Sequence, residues 1–203
     1  MAGDTFGFLV DQNTLLAVIL GAVLATIGGF VATATERYLD KREREHNAAL
    51  FFGEVLSTLM AIIAFADDAK KIGDPYGPVT MRMLRAARRE IDIYDRNRES
   101  LFYLGNSELR AKIQTLVIRL GMTLDSTIEI AQDLETLERQ LKDPEHAAEL
   151  EDIEARIGRG VTRREASYGF MLETTAQMRG AITELEPLAH QSFDRLHQVA
   201  RSL

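Results

Sequence analysis

Residues 14–35 read TLLAVILGAVLATIGGFVATAT, an uncharged run of apolar and small residues with charge on both sides of it. A helix needs about 20 apolar residues to cross the hydrocarbon core of a bilayer, so the run predicts a membrane span. Asp4 and Asp11 precede it, and Glu36, Arg37, Asp40, Lys41, Arg42, Glu43 and Arg44 follow it. A cleaved signal peptide is the rival reading, since Ala32-Thr33-Ala34 has the small-x-small form of a cleavage site. The stretch before the run lacks Lys and Arg, and the run is longer than a signal peptide's apolar core. Both features favour a retained span.

After residue 36 the apolar positions recur at steps of three and four, the period of a helix with one buried face. Residues 48–66, AALFFGEVLSTLMAIIAFA, are long enough to be a second span. Glu54 sits inside this stretch, and a charge near a span's centre costs roughly 2.5–3.5 kcal/mol. Glu54, Ser57, Thr58, Ala61, Ala64 and Asp68 share one face, opposite Leu50, Phe52, Val55, Leu56, Leu59, Ile62 and Ile63. That division favours the core-facing helix of a bundle. No proline interrupts residues 14–71, so the span is expected to continue into the body as one long helix. Gly73-Asp74-Pro75-Tyr76-Gly77-Pro78 then reads as a turn.

A second helix is expected from Pro78 or Thr80 to about Ser100, with Met83, Leu84, Ala87, Ile91 and Tyr94 on its apolar side. Asn106 or Ser107 can cap a third through a side-chain oxygen. Leu109, Ile113, Leu116, Leu120, Leu124, Ile128, Ala131, Leu134 and Leu137 carry that helix to about Lys142, where Asp143-Pro144 follows. Leu150, Ile153 and Ile157 continue to Gly158-Arg159-Gly160, which reads as a helix break. A last helix is expected from Thr162 through Tyr168, Leu172, Thr175, Met178, Ile182 and Leu185. Pro187 should kink or restart it before Phe193, Leu196 and Val199.

The predicted fold is therefore all-α: an N-terminal transmembrane helix continues into a long helix, packed with an antiparallel helical bundle. The expected divisions are a short outer tail over 1–13, the span over 14–35, a juxtamembrane and first bundle helix over 36–72, and the bundle body over 78–203.

Composition agrees with helix: among 203 residues there are 4 prolines, no tryptophan and no cysteine. Without cysteine there are no disulfides, thiolate nucleophiles or thiolate metal sites. A net charge of −7 argues against general nucleic-acid binding, which needs a basic footprint. Orientation follows Lys and Arg rather than net charge. Arg37, Lys41, Arg42 and Arg44 lie after the span and none lies before it, so the body is expected in the cytoplasm and the N-terminus outside. That arrangement is a single-pass protein of a cell inner membrane.

Candidate contacts are few. Ala17, Gly21, Ala25, Gly29 and Thr33 recur every fourth residue, a small-residue stripe along which another helix can approach closely. It points to a homo-oligomer or a partner membrane protein. Arg82, Arg85 and Arg89 share a face of the second helix, suited to anionic lipid headgroups. The same face suits the acidic set Glu135, Glu138, Glu145, Glu149, Glu151 and Asp152.

Glu43-x-x-His46 and Asp194-x-x-His197 each set a carboxylate and an imidazole one turn apart, the spacing of di-metal bundles, but two further carboxylates are not identifiable. His190, Asp194 and His197 share a face and leave a metal site incomplete. None of GxSxG, HExxH, the P-loop or GxGxxG occurs. Tyr94 and Asn97 are placed for a polar contact that fixes packing, with a ligand-binding spot as the alternative.

The Gly/Ala-rich span, the Arg/Glu-rich stretch after it and the segment Ile91-x-Ile93-Tyr94-Asp95-x-Asn97-x-x-x-Leu101-x-x-Leu104 resemble a loose group of uncharacterised bacterial inner-membrane proteins. The resemblance covers roughly the first 120 residues. It implies a single-span anchor with a cytoplasmic helical domain, and no activity, cofactor or catalytic residue. Acids interleave the basic residues after the span here, where many such chains are more purely basic. The expected function is a non-enzymatic protein-interaction or assembly module at the membrane's cytoplasmic face, in contact with membrane lipid, without cofactor, nucleic acid or identifiable small-molecule substrate. The alternatives are an accessory or signal-transmitting subunit and, after it, a metal-dependent enzyme in the bundle.

Overall fold

The computed structural model describes residues 12–143 and 149–194. Among them the chain is all-helical, with no strand. The helices are α1 (Gln12–Lys71), α2 (Pro78–Arg96), α3 (Ser107–Leu141) and α4 (Leu150–Ala189), and a 3-10 helix, Arg98–Tyr103, joins α2 to α3. The chain divides into two compact units, one up to Arg44 and one from Glu45.

The described part of the first unit is the leading portion of α1. Leu20, Val23, Leu24, Ile27, Phe30 and Val31 are all exposed there. Its hydroxyls close onto the helix itself: Thr26 Oγ1 donates to Ala22 O (2.8 Å), Thr33 Oγ1 to Gly29 O (2.9 Å) and Thr35 Oγ1 to Val31 O (2.8 Å). Such bonds leave these hydroxyls no need of water. By length and composition alone α1 is apolar enough to cross a membrane, and the stretch of it that meets this criterion is 56% buried.

In the second unit, Ala48, Ala49, Phe52, Val55, Leu56, Leu59 and Ile63 of α1 are buried. The same core takes Leu84, Ala87, Ile91 and Tyr94 of α2, the leucine stripe of α3, and Tyr168, Met171, Met178, Ile182 and Leu185 of α4. Glu54 of α1 lies on the exposed side. Ser57 does not: it is fully buried and its hydroxyl has no hydrogen-bond partner among the described residues. Along α3 and α4, Lys112 pairs with Glu184, Arg119 with Gln177 and Thr127 with Ser167, and Leu134 lies against Gly160. Position numbers thus rise along one helix as they fall along the other.

The helix boundaries differ from expectation at three places. Asn106 does cap α3, its Oδ1 accepting from Glu108 N and Leu109 N. α2, however, ends at Arg96, and the chain tightens into the 3-10 helix, burying Leu101 and Leu104. Gly158-Arg159-Gly160 does not break a helix, because α4 runs unbroken from Leu150. A Cβ at Gly160 would stand 2.7 Å from Leu134 Cδ2, so this glycine admits the neighbouring leucine. Packing of that kind offsets a helix-propensity cost of about 1 kcal/mol per glycine. Pro187 lies inside the last turn of α4, which ends two residues later at Ala189, with His190 in the left-handed region (φ 49°). Pro144, Glu145, Leu196, His197 and Val199 lie outside the described residues.

The expected Tyr94–Asn97 contact does not form. Asn97 Nδ2 donates to Ile93 O (2.8 Å) and Tyr94 Oη is buried without a partner among the described residues. The Tyr94 ring instead meets Phe52 edge-on at 5.8 Å. Residue 97 closes its own turn because it has already left the helical path.

Candidate functional site

The densest set of charged and aromatic side chains lies where the turn after α1 meets α4. Gly73 (φ 113°) and Tyr76 (φ 60°) reverse the chain in the left-handed region, which glycine enters freely and tyrosine rarely does. Asp74 holds the turn: its Oδ2 accepts from Thr80 N (2.8 Å) and its backbone O from Thr80 Oγ1 (2.6 Å). A Cβ at Gly77 would fall 1.7 Å from Asp74 Oδ1, so the capping carboxylate needs a glycine there.

This backbone delivers the Tyr76 ring against Tyr168 of α4, edge-on at 5.6 Å. Lys70 Nζ sits 4.7 Å from the Tyr76 ring centroid and 4.2 Å from that of Tyr168, while Arg164 Cζ lies 3.8 Å from the Tyr76 centroid. Cations over aromatic faces are attracted by the ring quadrupole. Lys70 Nζ also donates to Tyr76 Oη (3.0 Å) and Glu165 Oε2 (2.7 Å). Tyr168 Oη reaches Asp67 Oδ1 at 3.5 Å, and Asp67 pairs with Lys71 at 2.5 Å. Arg164 Nε is buried without a hydrogen-bond partner among the described residues.

These contacts hold each group in its ordinary charge state at neutral pH. Burial opposes the charge on Lys70, but its bonds to Glu165 and Tyr76 prevail and raise its pKa. Burial raises Tyr76 against the opposing Lys70 bond, and burial followed by the Asp67 charge raises Tyr168. For Glu165, the Lys70 and Tyr76 bonds and the nearby cations outweigh burial and lower the pKa. An ammonium, two phenols and a carboxylate moved away from neutrality make a fastening and are not suited to proton transfer at neutral pH.

Alkaline pH should loosen it. Lys70, Tyr76, Tyr168 and Tyr94 (pushed up to about 12 by burial) all keep protons in the folded chain that the unfolded chain gives up. Stability must then fall as pH rises above the unfolded values, by about 1.4 kcal/mol per pH unit for each group caught between its two states. Denaturant midpoints should hold steady from neutral pH to the onset of tyrosine ionisation and fall beyond it. A midpoint that stays flat beyond that onset would contradict the assignment.

Beside the cluster is a groove of about 400 Å³ walled by Tyr76, Met81, Arg85, Glu135, Glu138 and Arg164. Leu134 separates it from a second of about 380 Å³, where Arg156, Arg159 and Arg163 face Asp133. The second helix's arginines are thus divided. Arg82, Arg85 and Arg89 lie on the outer side of α2, and Arg85 shares a groove with Glu135 and Glu138, the acidic neighbours anticipated for it. Arg88 instead joins α2 to α3 through Asp125 at 2.8 Å, and also pairs with Asp92 at 2.6 Å.

In the first unit Gly21, Ala25, Gly29 and Thr33 lie exposed along α1, and the side chain of Ala17 is outside the described residues. Arg37, Lys41, Arg42 and Arg44 are exposed as well, with Arg42 Cζ 5.3 Å from the Tyr38 ring centroid. His46 Nδ1 is 3.0 Å from Leu188 O, and its ring stacks on His190 at 5.4 Å. Among the described residues no group of three or more His, Asp or Glu side chains is placed to hold a metal ion.

Sequence reasoning did not find the Lys70–Tyr76–Glu165–Tyr168 set. The turn and the apolar side of α4 were each legible, yet Lys70 and Glu165 are 95 positions apart and no spacing rule joins them. No family model matches the chain, and no curated protein or solved structure matches it either.

Proposed function

We propose that this chain is a single-pass inner-membrane protein whose cytoplasmic antiparallel helical bundle is a non-enzymatic interaction or assembly module. The observation that carries the reading is the leading portion of α1, where residues 20–31 are all exposed and uncharged, large apolar side chains on one side and small ones on the other, and three threonine hydroxyls are satisfied within the helix. Such a surface is stable in hydrocarbon and costly in water. Arg37, Lys41, Arg42 and Arg44 orient the body inward. The Gly21, Ala25, Gly29 and Thr33 stripe is the contact for a second copy or a partner span. In the body, the clamp between the turn and α4 supplies Tyr76 and Arg164 as firm walls of the first groove, against which a partner can dock.

A second reading, a signal-transmitting subunit, is favoured by one observation: α1 continues without interruption from Gln12 to Lys71, from the apolar run into the body's core. Displacement of the span would then move core side chains directly.

Crosslinking mass spectrometry on cells expressing the intact chain tests both readings. Crosslinks from Lys112 or Lys142 to defined cytoplasmic or membrane proteins are expected. A chain that crosslinks only to exported proteins, and whose intact mass lacks the first 34 residues, would overturn the anchor and the orientation together.

A further inference from the structure

Arg156, Arg159 and Arg163 stand three and four positions apart along α4 and so share one face of that helix. All three line the second groove, of about 380 Å³, which runs between α4 and α3. Gly160 lies among them, and its lack of a Cβ lets Leu134 of α3 come in close. Ile130, Leu134 and Leu137, none more than 9% exposed, give the groove an apolar floor.

Elsewhere in the body the cations between helices are matched. Lys112 pairs with Glu184, Lys70 with Glu165 and Arg88 with Asp125. In this groove three guanidiniums meet one carboxylate, that of Asp133. Among the described residues none of the three arginines closes an ion pair with it or with any other acid. Two positive charges are thus left unbalanced in a chain whose net charge is −7.

We propose that this groove binds a soluble small molecule carrying two or more phosphoryl groups. Arg159 and Arg163 are about 6 Å apart along the axis, and Arg156 and Arg159 about 4.5 Å. A ligand with two linked anionic centres bridges neighbouring guanidiniums, and an ion with one centre does not. Phosphoryl groups fit better than carboxylates because each offers three strong acceptor oxygens to the planar donor forks of arginine. Gln140, on the opposite wall, adds an amide donor. The volume lies in the range of small-molecule sites, about 300–1,000 Å³. Asp133 opposes the ligand's charge and so sets the affinity below what the arginines alone would give. The site lies wholly within the body and is independent of the anchor.

The test is calorimetric titration of the full chain, in nanodiscs of phosphatidylcholine, with inorganic triphosphate. A single saturable site per chain is expected, with sulfate at matched ionic strength binding at least about tenfold more weakly. Arg159→Gln should weaken triphosphate binding by about tenfold or more. Asp133→Asn should tighten it about two- to fivefold. Arg179→Gln, the same loss of charge about 30 Å along α4 from Arg159, should leave it unchanged. Equal binding by the parent chain and Arg159→Gln would overturn the proposal, as would sulfate binding as tightly as triphosphate. Hexaglutamate binding more tightly than triphosphate would assign the groove to an acidic protein segment instead. Loss of triphosphate binding in nanodiscs containing cardiolipin would make a lipid headgroup the occupant and overturn the soluble ligand.

Discussion

A chain carrying Leu24→Arg together with Ile27→Arg is expected to leave the membrane fraction and appear in the soluble one. Both residues are exposed on the described portion of α1 and lie near the middle of the uncharged run over 14–35. An arginine at a span's centre costs roughly 2.5–3.5 kcal/mol on insertion scales, and each lost apolar side chain adds a few tenths. On the proposed reading of one span, the pair therefore costs roughly 6–8 kcal/mol, enough to reverse insertion. Alkaline extraction of membranes followed by quantification of the pellet measures the effect. The helical content of the released protein should be retained, because the body's core is built from Ala48 onward. A doubly substituted chain that still resists alkaline extraction would show that something other than this run holds it in place.

The second large effect should come from a glycine inside the body. Phe193, 2% exposed, lays its ring directly across Gly53 of α1. A Cβ at position 53 would come within 2.1 Å of Phe193 Cζ, 2.3 Å of Cε2 and 2.6 Å of Cε1. No rotation of the ring in place relieves three such contacts, so the side chain must withdraw. Its backbone is held as well: Phe193 N donates to Glu186 Oε1 (3.1 Å), which also accepts from Ser192 Oγ (2.9 Å). Gly53→Ala should accordingly cost about as much as Phe193→Ala, roughly 3–5 kcal/mol. The double substitution should cost roughly 1–2 kcal/mol more than either alone, which is a coupling of about 2–3 kcal/mol. Gly169→Ala is the control, since nothing lies within 4 Å of a Cβ there and the helix should gain about 0.5–1 kcal/mol. Denaturant unfolding of the four proteins under one set of conditions decides the matter. Additive losses at 53 and 193 would mean that the ring and the glycine are not in contact.

The two effects differ in how far a sequence can reveal them. The uncharged run is a property of neighbouring residues. So are the leucine stripe of α3, the turn at Gly73–Pro78 and the Asn106 cap, each visible because a period or a local hydrogen bond extends over only a few positions. The all-helical class, the opening of α2 at Pro78 or Thr80 and both limits of α3 were legible for that reason. Gly53 was visible only as a small residue beside Glu54, and nothing local marks it as the floor of an aromatic slot. Gly158 and Gly160 carried a local signal for a break, and packing against Leu134 overrode it. Ser57 shares a side with Glu54 by spacing, yet three residues leave the two about 60° apart, and the edge of the core falls between them, with the serine buried and the glutamate exposed.

By itself, then, the sequence determined the helical periods, most helix ends and the presence of one helix long and apolar enough for a membrane, since propensity and periodicity act over neighbouring residues. The tertiary structure alone decided that Lys70 lies between Tyr76 and Tyr168 against Glu165, that Phe193 occupies the space above Gly53, and that Gly105 fastens to Glu45. Each of these pairings joins residues far apart in the chain. They become neighbours only after the apolar faces have been buried together, and that burial sets which polar groups can satisfy one another.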